Sequence, residues 1–250
     1  KPVTNLMRLP SGIGDPNALV GDYNNPILKP EAARIVKEKG DISRKGEIFP
    51  DPSNHCAPYA PPFNFAMQLG LQMLQTRDHI TFLYNQDDQV RRVRLNDKHP
   101  ANVTPTPMGD AVGHYEGDTL VVDTVGIKFG PVSMSDQYGS PQSEAMHVVE
   151  RYRMVDFDTA KKAFDQNEKE YGRVDGPNGN GVFIDFEDRG RSLQLQYTVE
   201  DPNVFTAPWG ATVTYRRAGS PWVEQICAEN AAEYYAGKDT AIPVAATLDF

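Results

Sequence analysis

From residue 78 onward the chain is written in short alternating segments, and no two of them are spaced for a helical crossover. Ile80-Thr81-Phe82-Leu83-Tyr84 is followed by a polar turn and then by Val90-Arg91-Arg92-Val93-Arg94-Leu95. Similar runs cover 114–118, 119–125, 146–154, 182–186, 192–199, 211–217 and 222–226. Period-two alternation bounded by Gly, Asn, Asp and Pro marks half-buried strands, and strands without βαβ spacing build a mostly antiparallel sheet. A run of about eight or nine such strands must hide its edges, by closing into a barrel or by folding into two packed sheets. The expected fold is mostly β, a calycin- or lipocalin-like barrel. A β-sandwich is the alternative, and the lack of internal repeats argues against a propeller.

The first 76 residues read differently. Pro10, Gly12, Gly14 and Pro16 punctuate the start, and five prolines between 50 and 62 keep that stretch extended. One helix is expected from about 30 to 39: Pro30 suits its first turn, Ala32, Ala33, Ile35 and Val36 give an apolar side, and Gly40 suits its stop. Residues 64–74 fit a strand or a short helix equally. The organisation is therefore an irregular, partly helical wrapping segment over 1–76 and a barrel over 77–250, together one structural unit. A surface helix is expected over 159–171 and a short one over 228–235.

Charge then excludes partners. With 25 Lys and Arg against 34 Asp and Glu, the net charge of −9 opposes binding to nucleic acid or to an anionic membrane. The basic clusters Arg91, Arg92, Arg94 and Arg151, Arg153 read as solvated strand faces, with one arginine free to counter Asp123 or a substrate carboxylate. No apolar run approaches the roughly 20 residues of a membrane span, so membrane insertion is not expected. A homo-oligomer is compatible with this composition. Cys56 and Cys227 form no metal knuckle; they read either as one long-range disulfide or as two thiols. His99, His114, Glu116 and His147 are nitrogen and oxygen donors, but they lack metal-site spacing, and no metal is expected. No phosphate loop, dinucleotide fingerprint or serine elbow occurs, so no cofactor is expected either.

The phrase His114-Tyr115-Glu116-Gly117-Asp118-Thr119-Leu120-Val121-Val122-Asp123-Thr124-Val125-Gly126 resembles the W-E-G-D-T-L-V-V-D-T-x-G-F signature of a large bacterial group, often exported. The resemblance extends to 97–100, to 143–152 and to 198–209, and covers roughly residues 50–230. Tyr115 and Ile127 stand where that group carries Trp and Phe. The resemblance implies a shared fold and site and a periplasmic or secreted location, and it implies no particular reaction. The chain opens on Lys1-Pro2-Val3 rather than Met, as expected where an upstream segment has been removed.

Asp123 is the most informative single residue. Alternation puts it on one side of its strand with Val121 and Val125, so it is expected to point into apolar surroundings, where a carboxylate becomes a general acid or base. The competing view is that it pairs with an arginine to hold the barrel. His147 shares a strand with Glu150, and alternation alone does not decide which of them turns inward. A histidine facing an aspartate makes a proton-transfer pair. Asp123, His147 and Tyr115 are accordingly the candidate catalytic residues. Tyr152, Arg151, Glu150, His99 and Trp209 are the candidate substrate-binding ones. Together they suggest a cofactor-independent lyase or isomerase acting on a small, largely apolar or aromatic molecule inside the barrel. The alternative is a non-catalytic carrier of such a molecule.

Overall fold

A computed structural model describes residues 8–9, 12–13, 20–47, 49–65, 70–171, 188–217, 222 and 227. Its centre is one curled eight-stranded sheet that forms a half-barrel, mostly β as expected. Two short strands, β1 (Arg8–Leu9) and β2 (Gly12–Ile13), pair with each other outside it. The sheet runs through β3 (Leu71–Gln75), β4 (His79–Tyr84), β5 (Gln89–Leu95), β6 (Asp110–Glu116), β7 (Thr119–Val125), β8 (His147–Val155), β9 (Ser192–Glu200) and β10 (Trp209–Tyr215). Every strand lies beside its sequence neighbour, and every pair is antiparallel except β5 with β6. The sheet thus begins at Leu71, inside the stretch expected to wrap. The strand expected over 182–186, all but Trp222 of the one expected over 222–226, and the helix over 228–235 lie outside the described residues.

Two helices accompany the sheet, α1 (Pro30–Arg44) and α2 (Phe157–Tyr171). Helix α1 does not stop at Gly40, contrary to expectation. Gly40 is buried in the helix, where an added Cβ would meet Val20 Cγ1 at 3.2 Å, so the glycine serves close packing. The stop is Gly46, with φ +78°. Its amide bonds to Ser43 O and that of Glu47 to Ile42 O, the paired closure that a left-handed residue provides after a helix.

Alternation sorts the sheet into two faces. On the inner face Ile80, Phe82, Val93, Leu120, Val122, Val148, Leu195 and Val199 are buried, in one cluster with Ile27, Leu28, Ala32, Val36 and Phe65. The wrapping segment therefore packs into the hollow of the half-barrel. Apolar burial at roughly 25 cal/mol per Å² drives this arrangement. Among the described residues the edge strands β3 and β10 do not pair with each other; Tyr215 donates to Phe65 O at 3.0 Å between them. A smaller cluster of Phe49, Tyr59, Phe63 and Met134 joins the same segment to the loop after β7. Cys56 and Cys227 form a disulfide, 171 residues apart in sequence. No helix among the described residues is long and apolar enough to cross a membrane.

Candidate active site on the outer face of the sheet

The outer face carries an unbroken chain of charged side chains. Asp123 on β7 is opposite Val112 on one side and Val149 on the other, which places Asp110 and His147 diagonally next to it on the same face. His147 Nε2 lies 3.0 Å from Asp123 Oδ1, and His99 Nε2 lies 3.1 Å from the same oxygen. His99 Nδ1 reaches Asp110 at 2.5 Å, and Arg94 continues the chain to Asp110 at 2.8 Å and to Asp97 at 2.6 Å. His99 comes from the loop after β5, so one imidazole fastens that loop to two strands.

Hydrogen-bond capacity fixes the roles. A carboxylate oxygen only accepts, so each imidazole donates its Nε2 proton to Asp123. That leaves Nδ1 of His147 as the nitrogen with its lone pair free, and it takes no hydrogen bond among the described residues. His99 faces a carboxylate from both nitrogens, Asp123 at Nε2 and Asp110 at Nδ1. Arg94 holds the Asp110 carboxyl below its ordinary range against the upward push of burial, and His99 adds to the lowering.

Two expectations are corrected here. Asp123 does not point into apolar surroundings: its side chain is 43% exposed, with His147 at 34% and His99 at 24%. The apolar, inward side of β7 is Leu120, Val122 and Thr124. The valines flanking Asp123 misled because β7 carries valine on both faces. Tyr115, in turn, belongs to the inner face and bonds Gln75 of β3 at 2.8 Å, so it does not join Asp123 and His147.

The remaining candidates divide the same way. Arg151 lies on the outer face and pairs with Glu116, which also lies 3.3 Å from His114. Glu150 and Tyr152 point inward, and so does Trp209, packed edge-on against Tyr197 and Phe205. Glu150, 0% exposed, receives a bidentate pair of bonds at 2.6 and 2.8 Å from Arg91, itself 1% exposed. Thr124 accepts a further bond from Arg91 at 2.6 Å, and Tyr152 donates to Glu150 at 2.8 Å. Burial opposes the charge of Arg91, but the carboxylate overrides it and holds the guanidinium charged; burial also pushes the Tyr152 hydroxyl well up.

The expectation that Arg91 lies on a solvated strand face is overturned: it is buried, and it counters Glu150 rather than Asp123. A signal for it existed. Arg91 shares its side of β5 with Val93 and Leu95, while Arg92 and Arg94 share the other with Val90. An inward glutamate on β8 requires an inward cation.

The surface beside the histidine chain is concave. A cleft of about 390 Å³ opens where β4, β5 and the following loop meet, lined by Asp78, His79, Arg92, Arg94 and Asn96. Loop 96–109 is laced to the end of β7, with Thr106 N bonded to Gly126 O at 3.1 Å and Lys128 N to Thr106 O at 2.8 Å. Gly126 sits at φ +64°, where an added Cβ would lie 2.3 Å from Val103 Cγ1, so only glycine fits the last position of the signature phrase. Asp201 accepts from the amide and hydroxyl of Ser143 at 2.7 and 2.6 Å, joining two more of the quoted phrases as structural ties. Among the described residues no group of three or more His, Cys, Asp or Glu is arranged to hold a metal ion. Comparison with protein-family models, curated proteins and solved structures matched none of them.

Proposed function

We propose that the protein is an acid–base enzyme, a lyase or isomerase that moves a proton on a small molecule held on the outer face above β7 and β8. The observation that carries this reading is the 3.0 Å bond from His147 Nε2 to Asp123 Oδ1, which leaves Nδ1 of His147 as a base at a half-exposed position. Asp123 fixes the ring's tautomer and balances the charge that develops when Nδ1 takes a proton. His99 and Asp110 hold Asp123 in turn. Such a base contributes a rate factor on the order of 10²–10⁴. The neighbouring cleft offers Arg92 as a cation for a substrate oxygen. The disulfide supports an exported location, since such bonds persist in oxidising compartments.

The test needs no known turnover. Acetophenone, 1-indanone and hydroxyacetone are incubated with the protein in D₂O, and loss of the proton signal beside the carbonyl is followed by NMR. The wild-type protein is expected to accelerate exchange of at least one ketone. His147→Gln should reduce that acceleration by about 10²-fold, and Asp123→Asn should reduce it with the melting temperature nearly unchanged. Undiminished exchange in His147→Gln, or none with the wild type, removes the proposal.

A further inference from the structure

The cleft where β4, β5 and the following loop meet holds an arginine that no acid answers. Asp78, Asp97, Arg92 and Arg94 bring fixed charge to its walls, and all but Arg92 are engaged. Asp78 accepts from the Thr76 hydroxyl at 3.0 Å and lies 2.8 Å from His79 Nδ1. Asp97 accepts from Arg94 at 2.6 Å and from the Lys98 amide at 2.8 Å. Arg94 continues to Asp110 at 2.8 Å. These bonds hold the Asp78 and Asp97 carboxyls below their ordinary range, so both walls stay negative. Arg92 is exposed and makes no hydrogen bond or ion pair among the described residues. Its cross-strand partner is Thr81, which offers no charge.

The surface next to this cation is apolar. Val90 stands two residues before Arg92 on the same side of β5, and Leu83 of β4 is directly opposite Val90. Leu74 of β3 is opposite Thr81 and therefore diagonal to Leu83. Leu74 and Val90 are each 54% exposed, and Leu83 is half-buried. A single exposed aliphatic side chain is ordinary, but three that adjoin one another beside a cleft form a surface suited to an apolar ligand. Cleft and patch together pair one free guanidinium with a strip of hydrocarbon.

We infer that this part of the outer face binds an acid with one carboxylate and an aliphatic body, a medium-chain fatty acid in its chemistry. The carboxylate takes two parallel N–H···O bonds from Arg92, the geometry a guanidinium fork favours. The chain lies over Val90, Leu83 and Leu74. A second negative charge on the ligand meets Asp78 or Asp97, so a monoanion is preferred to a dianion. The carboxylate takes the place at Arg92 that the proton-transfer reading gives to a substrate oxygen. Binding itself needs neither His147 nor Asp123, and it stands or falls separately from proton transfer.

Octanoate is the probe on the whole chain, with acetate, 1-octanol and octyl phosphate as comparisons, and with calorimetry and NMR titration of the backbone amides as readouts. Octanoate is expected to bind roughly tenfold more tightly than each of the three, as a charge-assisted bond adds to apolar contact. Its amide shifts should centre on β3, β4 and β5. Arg92→Gln should weaken octanoate roughly tenfold, to the level of 1-octanol. The melting temperature should not change, because the guanidinium removed has no partner. Val90→Thr is the second variant, expected to weaken octanoate and leave acetate unaffected. The proposal is overturned if 1-octanol or octyl phosphate binds as tightly as octanoate, if Arg92→Gln binds octanoate as wild type does, or if the shifts centre on the inner core. Absent octanoate binding with ketone exchange intact removes this site alone, whereas octanoate binding without ketone exchange upholds the site and removes proton transfer.

Discussion

At the scale of single residues, the molecule separates two ways of using an acid within a strand. Asp123 keeps access to water and two imidazoles, so its charge is cheap to hold. Glu150 is sealed in the core and depends on Arg91, Thr124 and Tyr152. Removing one member of a buried pair strands the other, at a cost of about 3–5 kcal/mol. Glu150→Ala is therefore expected to lower unfolding stability by about that amount in urea titrations, whereas Glu150→Leu combined with Arg91→Met should lose much less than the two single changes together. Asp123 and His147 could be singled out from sequence because polar residues interrupt apolar phrases there. Which of His147 and Glu150 turned inward could not, since both sides of β8 carry apolar neighbours. The decision belongs to Arg91, a residue on a strand three places away in the sheet.

At the scale of elements, loop 96–109 depends on two kinds of fastening. Its end is laced by backbone bonds to Gly126 and Lys128, while its start is held by His99 and by Arg94 through Asp97 and Asp110. Arg94 holds Asp110 and Asp97 below their ordinary value of 3.8, so in the folded chain both stay ionised to lower pH than in the unfolded one. The sign follows: the tether is fully present above pH 3.8 and is lost as pH falls through the depressed folded values. Hydrogen exchange of loop amides should accelerate, relative to β7, as pH falls below 3.8, and Asp110→Asn should show the loosened loop already at neutral pH. Strands β4 and β8 were legible because their burial alternates with period two, whereas β6 starts at Asp110, ahead of the expected run 114–118, because its burial does not alternate. Helix α1 was legible in its start and wrong in its end, because Gly40 and Gly46 look alike in a sequence. Only packing against Val20 distinguishes a glycine that permits contact from one that reverses the backbone. Strand β3 was ambiguous for a related reason: Leu71 and Met73 face inward at an edge strand too exposed to show a clean contrast.

At the scale of the whole molecule, the half-barrel is completed by the segment that precedes it rather than by its own edges. Phe65 reaches the inner core, Phe49, Tyr59 and Phe63 pack on Met134, and Cys56 ties the same segment to Cys227. Closing a loop of 171 residues removes unfolded-state freedom worth about 5 kcal/mol on the chain-entropy account. Reduction, or Cys56→Ser with Cys227→Ser, is expected to lower the guanidinium midpoint correspondingly; an unchanged midpoint would show that the bridge restrains little. The barrel-like class could be read from strand count and spacing. The filling of the hollow by residues 27–65 could not, because a proline-rich irregular stretch has no period to reveal which side it presents.

The Cys56–Cys227 bond has a further consequence for the chain as a covalent object. Everything from β3 to β10 lies inside a single ring closed through sulfur, with the two ends of the polypeptide as tails. A protease that cut the exposed turn at Lys128–Pro131 would open that ring without releasing a piece of it. The two parts would leave the encounter still one molecule, aligned strand to strand, and would separate only where the surroundings turn reducing.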